Sequence, residues 1–184
     1  RETAAILWGV YALLTAALTG LLMLCGMNLF DAVCHAFATM ATGGFSTRNA
    51  SIGAWDSAWL DGVVTVFMFL AGMNFLLHYR VLFHRDWRAL RGKRGIHFFA
   101  GTVMAAVLTC AVLLLAYGLP APGSAPASYQ AAPPSADAFA AHLARETAKV
   151  DDPLGALRHA AFQVVSIITT TGFTTADFDL WPRT

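Results

Sequence analysis

Two short polar stretches of this 184-residue chain could bind a cation through their backbone. They are ATGGFST, residues 41–47, and TTTGFTT, residues 169–175. Threonine hydroxyls and closely spaced backbone carbonyls are oxygen ligands that can replace the hydration shell of a cation. Glycine permits the backbone dihedral angles that turn consecutive carbonyls in one direction. The two stretches therefore predict carbonyl-lined ion sites, which need no acidic side chain at the ion.

A helix C-cap is the alternative interpretation of either stretch taken alone, because a glycine followed by an apolar residue commonly ends a helix. The repetition favours the ion site. Superposing Gly44 on Gly172 also aligns the phenylalanines and threonines around them. Self-similarity at a fixed offset is the signature of a repeated structural unit.

Long apolar segments surround both stretches and would have to position them. Three runs, at about residues 3–30, 62–79 and 96–119, contain almost no charged side chain. A helix of about 20 apolar residues can cross the hydrocarbon core of a bilayer. The chain is 57% hydrophobic and 12% charged, whereas soluble domains carry roughly 25% charged residues. These features predict an all-α integral membrane protein.

The predicted unit consists of an outer helix, a short re-entrant helix, a polar loop and an inner helix. In residues 1–80 these elements occupy about 3–30, about 31–42 with Asp31 as N-cap and Gly43-Gly44 as the stop, 42–47 (the first loop), and about 57–80. In residues 96–184 the outer helix occupies about 96–119, and a Pro/Ala-rich extracytoplasmic stretch with some helix near 138–149 follows at 120–152. The short helix occupies about 153–170 after an Asp152-Pro153 start, the second loop occupies 170–175, and the inner helix is missing.

A basic loop predicts the orientation. Six of the twelve Lys and Arg residues fall in residues 80–94, against one acid, and domain residues 81–95 lie between two predicted spans. The positive-inside rule places such a loop in the cytoplasm, so the two polar loops face outside. Binding of nucleic acid is the other interpretation of a basic run, but its position between spans disfavours it.

Enzymatic function is not predicted. The sequence contains no phosphate-binding glycine loop, nucleophile elbow, zinc-ligand spacing or pair of catalytic carboxylates. Cys25, Cys34 and Cys110 follow no metal or disulfide spacing and are expected to be buried free thiols. Asn28 and Asn74 could line a pore or form hydrogen bonds between helices, and we expect the packing role. No organic cofactor is expected.

The words that frame the two loops resemble the TrkH family of membrane subunits in the Trk/Ktr/HKT potassium-transporter superfamily. They are GMNLFDAVCHAFATMATGGFSTRNASIGAWDS, NFLLHYR and FQVVSIITTTGFTTADFDLWP. The resemblance covers nearly the whole chain apart from the Pro/Ala-rich stretch. It implies four non-identical repeats around one pore, of which this chain would supply the second and most of the third. It also implies that backbone carbonyls of a selectivity filter bind K⁺, here at Thr42, Gly43, Gly44, Phe45, Thr170, Thr171, Gly172 and Phe173.

The same resemblance implies potassium uptake, as a channel or symporter in a bacterial inner membrane. Its implied partners are membrane lipid, a second full-length subunit in a homodimer, and a cytosolic nucleotide-binding regulatory ring that the basic loop could touch. Tetrameric potassium channels carry a second glycine in TVGYG, where this chain has Ser46 or Thr174. We therefore expect K⁺ and Rb⁺ to be preferred over Na⁺ less strongly than in such channels. The alternative is a non-conducting scaffold or truncated fragment that keeps the repeat fold.

Overall fold

The computed structural model describes residues 2–73, 94–117, 136–177 and 180–181. Within these ranges the regular elements are all helical, and the all-α prediction is confirmed. The helices are α1 (Glu2–Leu24), α2 (Leu29–Met40), a 3₁₀ helix (Ser51–Trp55), α3 (Ala58–Ala71), α4 (Arg94–Tyr117), α5 (Ala136–Val150) and α6 (Pro153–Ile168). Asn74, residues 80–93 of the basic loop and residues 120–135 of the Pro/Ala-rich stretch lie outside the described residues.

The first helix is shorter than the predicted span of about 3–30. α1 ends at Leu24 because Gly26 adopts a left-handed conformation, with φ of 97°. The Gly26 N–H donates to Met23 and the Met27 N–H donates to Leu22, at 3.0 and 3.1 Å. These two bonds are the Schellman motif, in which a left-handed glycine follows the last helical turn. The left-handed turn at Gly26 therefore separates α1 from α2.

The N-caps of the two short helices differ from each other. α2 is capped by Asn28, whose side chain accepts from the Asp31 N–H at 2.8 Å. The prediction of Asp31 as the cap was therefore wrong, and Asn28 caps a helix instead of packing one against another. Asp31 lies in the first turn, where the helix dipole favours a carboxylate. α6 begins as predicted, with Asp152 as N-cap and Pro153 in the first turn.

One helix among the described residues, Ala4–Leu24, is long and apolar enough to cross a membrane. Shorter apolar helices are Leu29–Met40, Ala58–Ala71, Ala100–Ala116 and Pro153–Ile168. The 12 residues of α2 rise about 18 Å, which is short of the hydrocarbon thickness. A re-entrant position suits a helix of this length.

The two halves of the chain share one core. α4 packs along α6, α1 packs along α2, and α3 contacts both α2 and α6. The central cluster combines side chains from both halves, including Leu18, Ala36, Met68, Phe162 and Phe173. Asp61 on α3 and Arg158 on α6 also form an ion pair, at 3.4 Å, across the two halves. Contacts within the chain therefore hold the second loop against the first half.

Two further details qualify the sequence expectations. The Pro/Ala-rich stretch contains a helix of 15 residues, α5, where some helix was expected near 138–149. It packs on α6 next to the second loop. Cys25, Cys34 and Cys110 are free thiols, but all three are half-buried, where we expected burial.

Candidate cation site formed by two polar loops

The two loops leave their helices along the same backbone path. In the first loop, the N–H groups of Thr42 and Gly43 donate to the carbonyls of Thr39 and Ala38, at 3.1 and 2.7 Å. The second loop repeats both bonds at the equivalent positions, at 3.0 and 2.9 Å. Each short helix therefore ends in a Schellman motif. The repeat seen in the sequence is also a repeat in hydrogen bonding.

A threonine occupies the left-handed position of both motifs. The φ angles are 50° at Thr42 and 59° at Thr170, followed two residues later by 65° at Gly44 and 87° at Gly172. The expectation that Gly43-Gly44 stops α2 was therefore wrong, because Thr42 takes the position that glycine usually fills. A β-branched residue with positive φ is an outlier, and such strain costs on the order of 1–3 kcal/mol and is concentrated at functional sites.

The predicted ligand residues present free carbonyl oxygens. Within the described residues, no hydrogen-bond donor contacts the carbonyl oxygen of seven of them: Thr42, Gly43, Gly44, Phe45, Thr170, Thr171 and Gly172. The eighth differs, because the Ser166 hydroxyl donates to the Phe173 carbonyl at 2.7 Å. A carbonyl without a protein donor keeps both lone pairs for another ligand. Cation coordination is chemistry that this arrangement can perform.

The two loops contact each other through their backbones. A Cβ atom built on Gly44 would overlap the carbonyl oxygen of Thr171, whereas one built on Gly172 would meet open space. Glycine at position 44 thus serves a close approach as well as a positive φ. The Thr171 carbonyl oxygen of the second loop therefore lies against the backbone of Gly44 in the first.

A hydroxyl near the end of each loop is bound to a side chain of its own short helix. The Thr47 hydroxyl donates to Asp31 Oδ1 at 2.6 Å. The equivalent pair in the second repeat is Thr175 Oγ1 and His159 Nδ1, at 3.0 Å. Different side chains at equivalent positions therefore anchor the two loops. Sequence comparison of the repeats did not reveal this, because aspartate and histidine share no composition signal.

Charges complete each anchor. In the first loop, Arg48 binds Asp31 at 3.2 Å, and the Thr47 hydroxyl and then Arg48 lower the pKa of Asp31. In the second, Arg158 lies 2.8 Å from His159 Nε2. Arginine can only donate, so Nε2 accepts and the proton of a neutral imidazole lies on Nδ1, facing Thr175. The anchors are thus a carboxylate and a neutral histidine.

His35 on α2 connects the two loops. The buried ring accepts the Ser46 hydroxyl at Nε2, 2.9 Å away, while Nδ1 donates to the Asp31 carbonyl at 2.7 Å. One ring face stacks on Phe173 of the second loop, with centroids 5.7 Å apart, and Trp55 approaches edge-on at 5.1 Å. We did not predict this role, since His35 has no histidine counterpart in the second repeat.

The segment after the first loop pairs with the second loop. Ser51 Oγ accepts from the Thr174 N–H at 3.2 Å, and the Gly53 N–H donates to the Thr174 carbonyl at 3.1 Å. Beyond the free carbonyls of the second loop, each of residues 173–176 therefore has its carbonyl bound by a protein donor: Ser166, Gly53, Lys149 and Gln163 in turn. The described residues contain no His, Cys, Asp and Glu group that could hold a metal ion.

Comparison with known proteins identifies similar sequences across this whole fold. A family model described as "TrkH: Cation transport protein" matches residues 1–184. The Trk system potassium uptake protein TrkH of Salmonella typhimurium is 33% identical over 181 residues, and that of Halomonas elongata is 34% identical over 184. Each alignment covers 98% of this chain and 31% of the relative.

A solved structure is also similar. The crystal structure of the potassium transporter TrkH from Vibrio parahaemolyticus matches with a TM-score of 0.76 and 33% identity. The match covers 98% of this chain and 33% of that one. The chain thus spans about a third of the length of the relatives it matches.

Proposed function

The chain belongs to the TrkH family of cation transport proteins, and from this premise we propose that it forms part of a protein that takes up K⁺ across the cell membrane. The two loops would contribute half of a selectivity filter. Their ligands would be the carbonyls of Thr42, Gly43, Gly44 and Phe45 in the first loop and of Thr170, Thr171, Gly172 and Phe173 in the second. The Phe173 oxygen would share its lone pairs with Ser166.

The observation that carries this proposal is the set of free carbonyls on two loops of equal conformation. Water, ligand or protein normally satisfies every backbone carbonyl, and irregular backbone within a membrane is tolerated only in protein or in a water-filled cavity. A row of unbound carbonyls beside a second such row suits a dehydrated K⁺. The C-terminal ends of α2 and α6 add partial negative charge behind both loops.

A complete filter would need further loops. Phe173 is 1% exposed because it stacks on His35 of the preceding repeat, whereas its counterpart Phe45 is 83% exposed. We propose that another repeat covers Phe45 in the whole protein, giving four loops around one pore. The place of the second glycine of TVGYG holds Ser46 or Thr174, so discrimination against Na⁺ would be weaker than in tetrameric potassium channels.

The surroundings of the pore belong to the same proposal. The filter loops would face outside and the basic loop, residues 80–94, the cytoplasm of a bacterium, across its inner membrane. The whole protein would be a homodimer regulated by a cytosolic nucleotide-binding ring. It would transport without enzymatic chemistry or an organic cofactor.

Uptake of ⁸⁶Rb⁺ into potassium-starved cells that lack their own uptake systems tests the proposal. The whole protein would be compared with its Gly44→Ser and Gly172→Ser variants. We expect Rb⁺ uptake by the whole protein, and a lower ratio of Rb⁺ to Na⁺ uptake in both variants. Gly20→Ser is the matched control, because Gly20 lies in α1 with open space around it and no positive φ.

Two results would contradict the proposal. One is no Rb⁺ uptake by the whole protein when its regulatory partner is present. The other is uptake that ignores Gly44 and Gly172 as fully as it ignores Gly20. The first result would favour the non-conducting scaffold. The second would mean that the two turns are helix caps and that ions cross the protein elsewhere.

A further inference from the structure

Two charged residues of α5 bind the outer end of the second loop. Lys149 Nζ donates to the Thr175 carbonyl at 2.9 Å and to Glu146 Oε1 at 2.8 Å. The other oxygen of Glu146 accepts from the Asp177 N–H at 2.8 Å. We propose that Glu146 and Lys149, the α5 brace, are positioning residues that fix the second loop and so set its ion discrimination. This inference rests on the proposed function of that loop.

Burial makes the brace specific. The Glu146 side chain is 8% exposed and that of Lys149 is 23% exposed. A buried charge without a partner is strongly destabilising, and breaking such a pair leaves one. Charge-assisted hydrogen bonds are also shorter and stronger than neutral ones. The pair is therefore held in one geometry, and it transmits that geometry to the backbone at residues 175 and 177.

The brace also marks where the ion-binding carbonyls end. The Thr175 oxygen accepts from a fixed ammonium group, and a cation sharing that oxygen would meet a like charge within a few ångströms. The free carbonyls of the second loop lie earlier, at residues 170–172. Lys149 thus excludes the Thr175 carbonyl from ion coordination. It also restrains the loop segment that orients the preceding carbonyl oxygens.

The helix that carries the brace is anchored independently of it. Leu143 and Val150 of α5 are buried, and α5 packs on α6. Substituting a brace residue should therefore leave α5 in place and release the loop. At the first loop the corresponding charge comes from the residue that follows the loop, through Arg48 on Asp31. Glu146 and Lys149, which would not contact an ion, would thus control the second loop but not the first.

Transport by the whole protein provides the first test. Lys149→Met should lower the ratio of Rb⁺ to Na⁺ uptake about tenfold, since a hydrogen bond to a charged group is worth at least that factor. Lys149→Arg should restore much of the ratio. Lys149→Met leaves Glu146 as an unpaired buried carboxylate, which should lower the amount of folded protein. The double variant Glu146→Gln with Lys149→Met should restore that amount, while the ratio of Rb⁺ to Na⁺ uptake stays low.

Arg145→Met is the matched control. Arg145 lies on the same helix and, like Glu146 and Lys149, lines a cavity of about 960 Å³. Arg145 is exposed, and its Nε donates weakly to the Ala141 carbonyl at 3.4 Å. Arg145→Met removes one positive charge, as Lys149→Met does, but it breaks no hydrogen bond to the second loop. A fall in the ratio equal to that of Lys149→Met would mean that mouth charge, and not positioning, is responsible. An unchanged ratio in Lys149→Met would equally overturn the proposal.

Hydrogen exchange of the purified whole protein decides the brace independently of transport. We expect Glu146→Gln and Lys149→Met to speed amide exchange in residues 174–177 but not in residues 42–47, with Arg145→Met unchanged. Unaltered exchange at 174–177 in both variants would overturn the brace. Failure of the unsubstituted protein to take up Rb⁺ would instead contradict the proposed function, while the exchange result would still stand.

Discussion

At the scale of single residues, the same departure from ordinary backbone geometry occurs twice. Thr42 and Thr170 adopt left-handed φ angles of 50° and 59° at the position where α1 uses Gly26. A glycine at either position would remove the strain, as Gly26 shows. Retaining threonine adds a hydroxyl and restricts the chain, since β-branched residues have few rotamers. The strain is thus consistent with loops whose rigidity matters more than their stability.

The two left-handed glycines lie in different surroundings within this chain. A Cβ on Gly44 overlaps the Thr171 carbonyl, so in Gly44→Ala the loops must separate, whereas a Cβ on Gly172 meets open space and adds only the cost of positive φ, about 1 kcal/mol. We expect Gly44→Ala to lower the thermal midpoint and the Rb⁺ uptake of the whole protein. Gly172→Ala should match it if a further repeat lies against Gly172 in a closed ring. An unchanged midpoint and uptake in Gly44→Ala would mean that the two loops do not touch in the whole protein.

At the scale of elements, each short helix holds its own loop and α2 also holds the next one. Asp31 and His159 occupy equivalent positions and bind equivalent threonines. His35 and Gln163 are also equivalent in sequence. His35 binds Ser46 of the first loop, and Gln163 binds the carbonyl of Ala176, the residue that follows the second loop. The element therefore keeps the task of orienting a loop while its side chains change.

His35 should couple the two loops. In His35→Ala, Ser46 loses its acceptor and Phe173 loses its stacking partner, so both loops are released at once. Removing a partner from a buried group costs about 1–3 kcal/mol, and aromatic pairing adds about 0.5–1.5. We expect His35→Ala to abolish selective Rb⁺ uptake in the whole protein. His35→Gln, which introduces the residue of the equivalent position, should retain part of it.

A matched control for His35 lies on the same helix. The Phe37 side chain is exposed, and the hydrogen bond of its backbone carbonyl with the Ala41 N–H would survive substitution by alanine. Phe37→Ala removes a ring from α2 without touching Ser46 or Phe173, and it should leave the ratio of Rb⁺ to Na⁺ uptake unchanged. If His35→Gln behaved like His35→Ala, stacking on the imidazole and not the hydrogen bond would be the decisive contact.

At the scale of the whole molecule, the sequence allowed the plan to be predicted but not the contacts between repeats. Apolar runs and the fixed offset between the two loops indicate the helix order, and Asp152-Pro153 indicates one helix start. The cap of α2 was misplaced because Asn28 and Asp31 are both good caps at neighbouring positions. The Ser51–Thr174 bond joins residues 123 apart, and no local pattern reports such a pairing. Comparing the two repeats with each other does not reveal the Ser51–Thr174 pairing either, because that pairing joins one repeat to the next.

The unequal burial of Phe45 and Phe173 leads to a prediction about the whole protein. Quasi-equivalent residues in a closed ring should have equivalent environments. A further repeat should therefore bury Phe45 as the repeat in residues 1–80 buries Phe173. We would introduce Phe45→Cys, Phe173→Cys and Ala50→Cys separately, after replacing Cys25, Cys34 and Cys110. Ala50 is exposed beside the cavity that Arg145 and Lys149 also line, so Ala50→Cys should react with a membrane-impermeant maleimide. Thiols at positions 45 and 173 should both be protected. Labelling at position 45 as fast as at position 50 would show that no repeat covers the first loop, and a ring of four loops would then be ruled out.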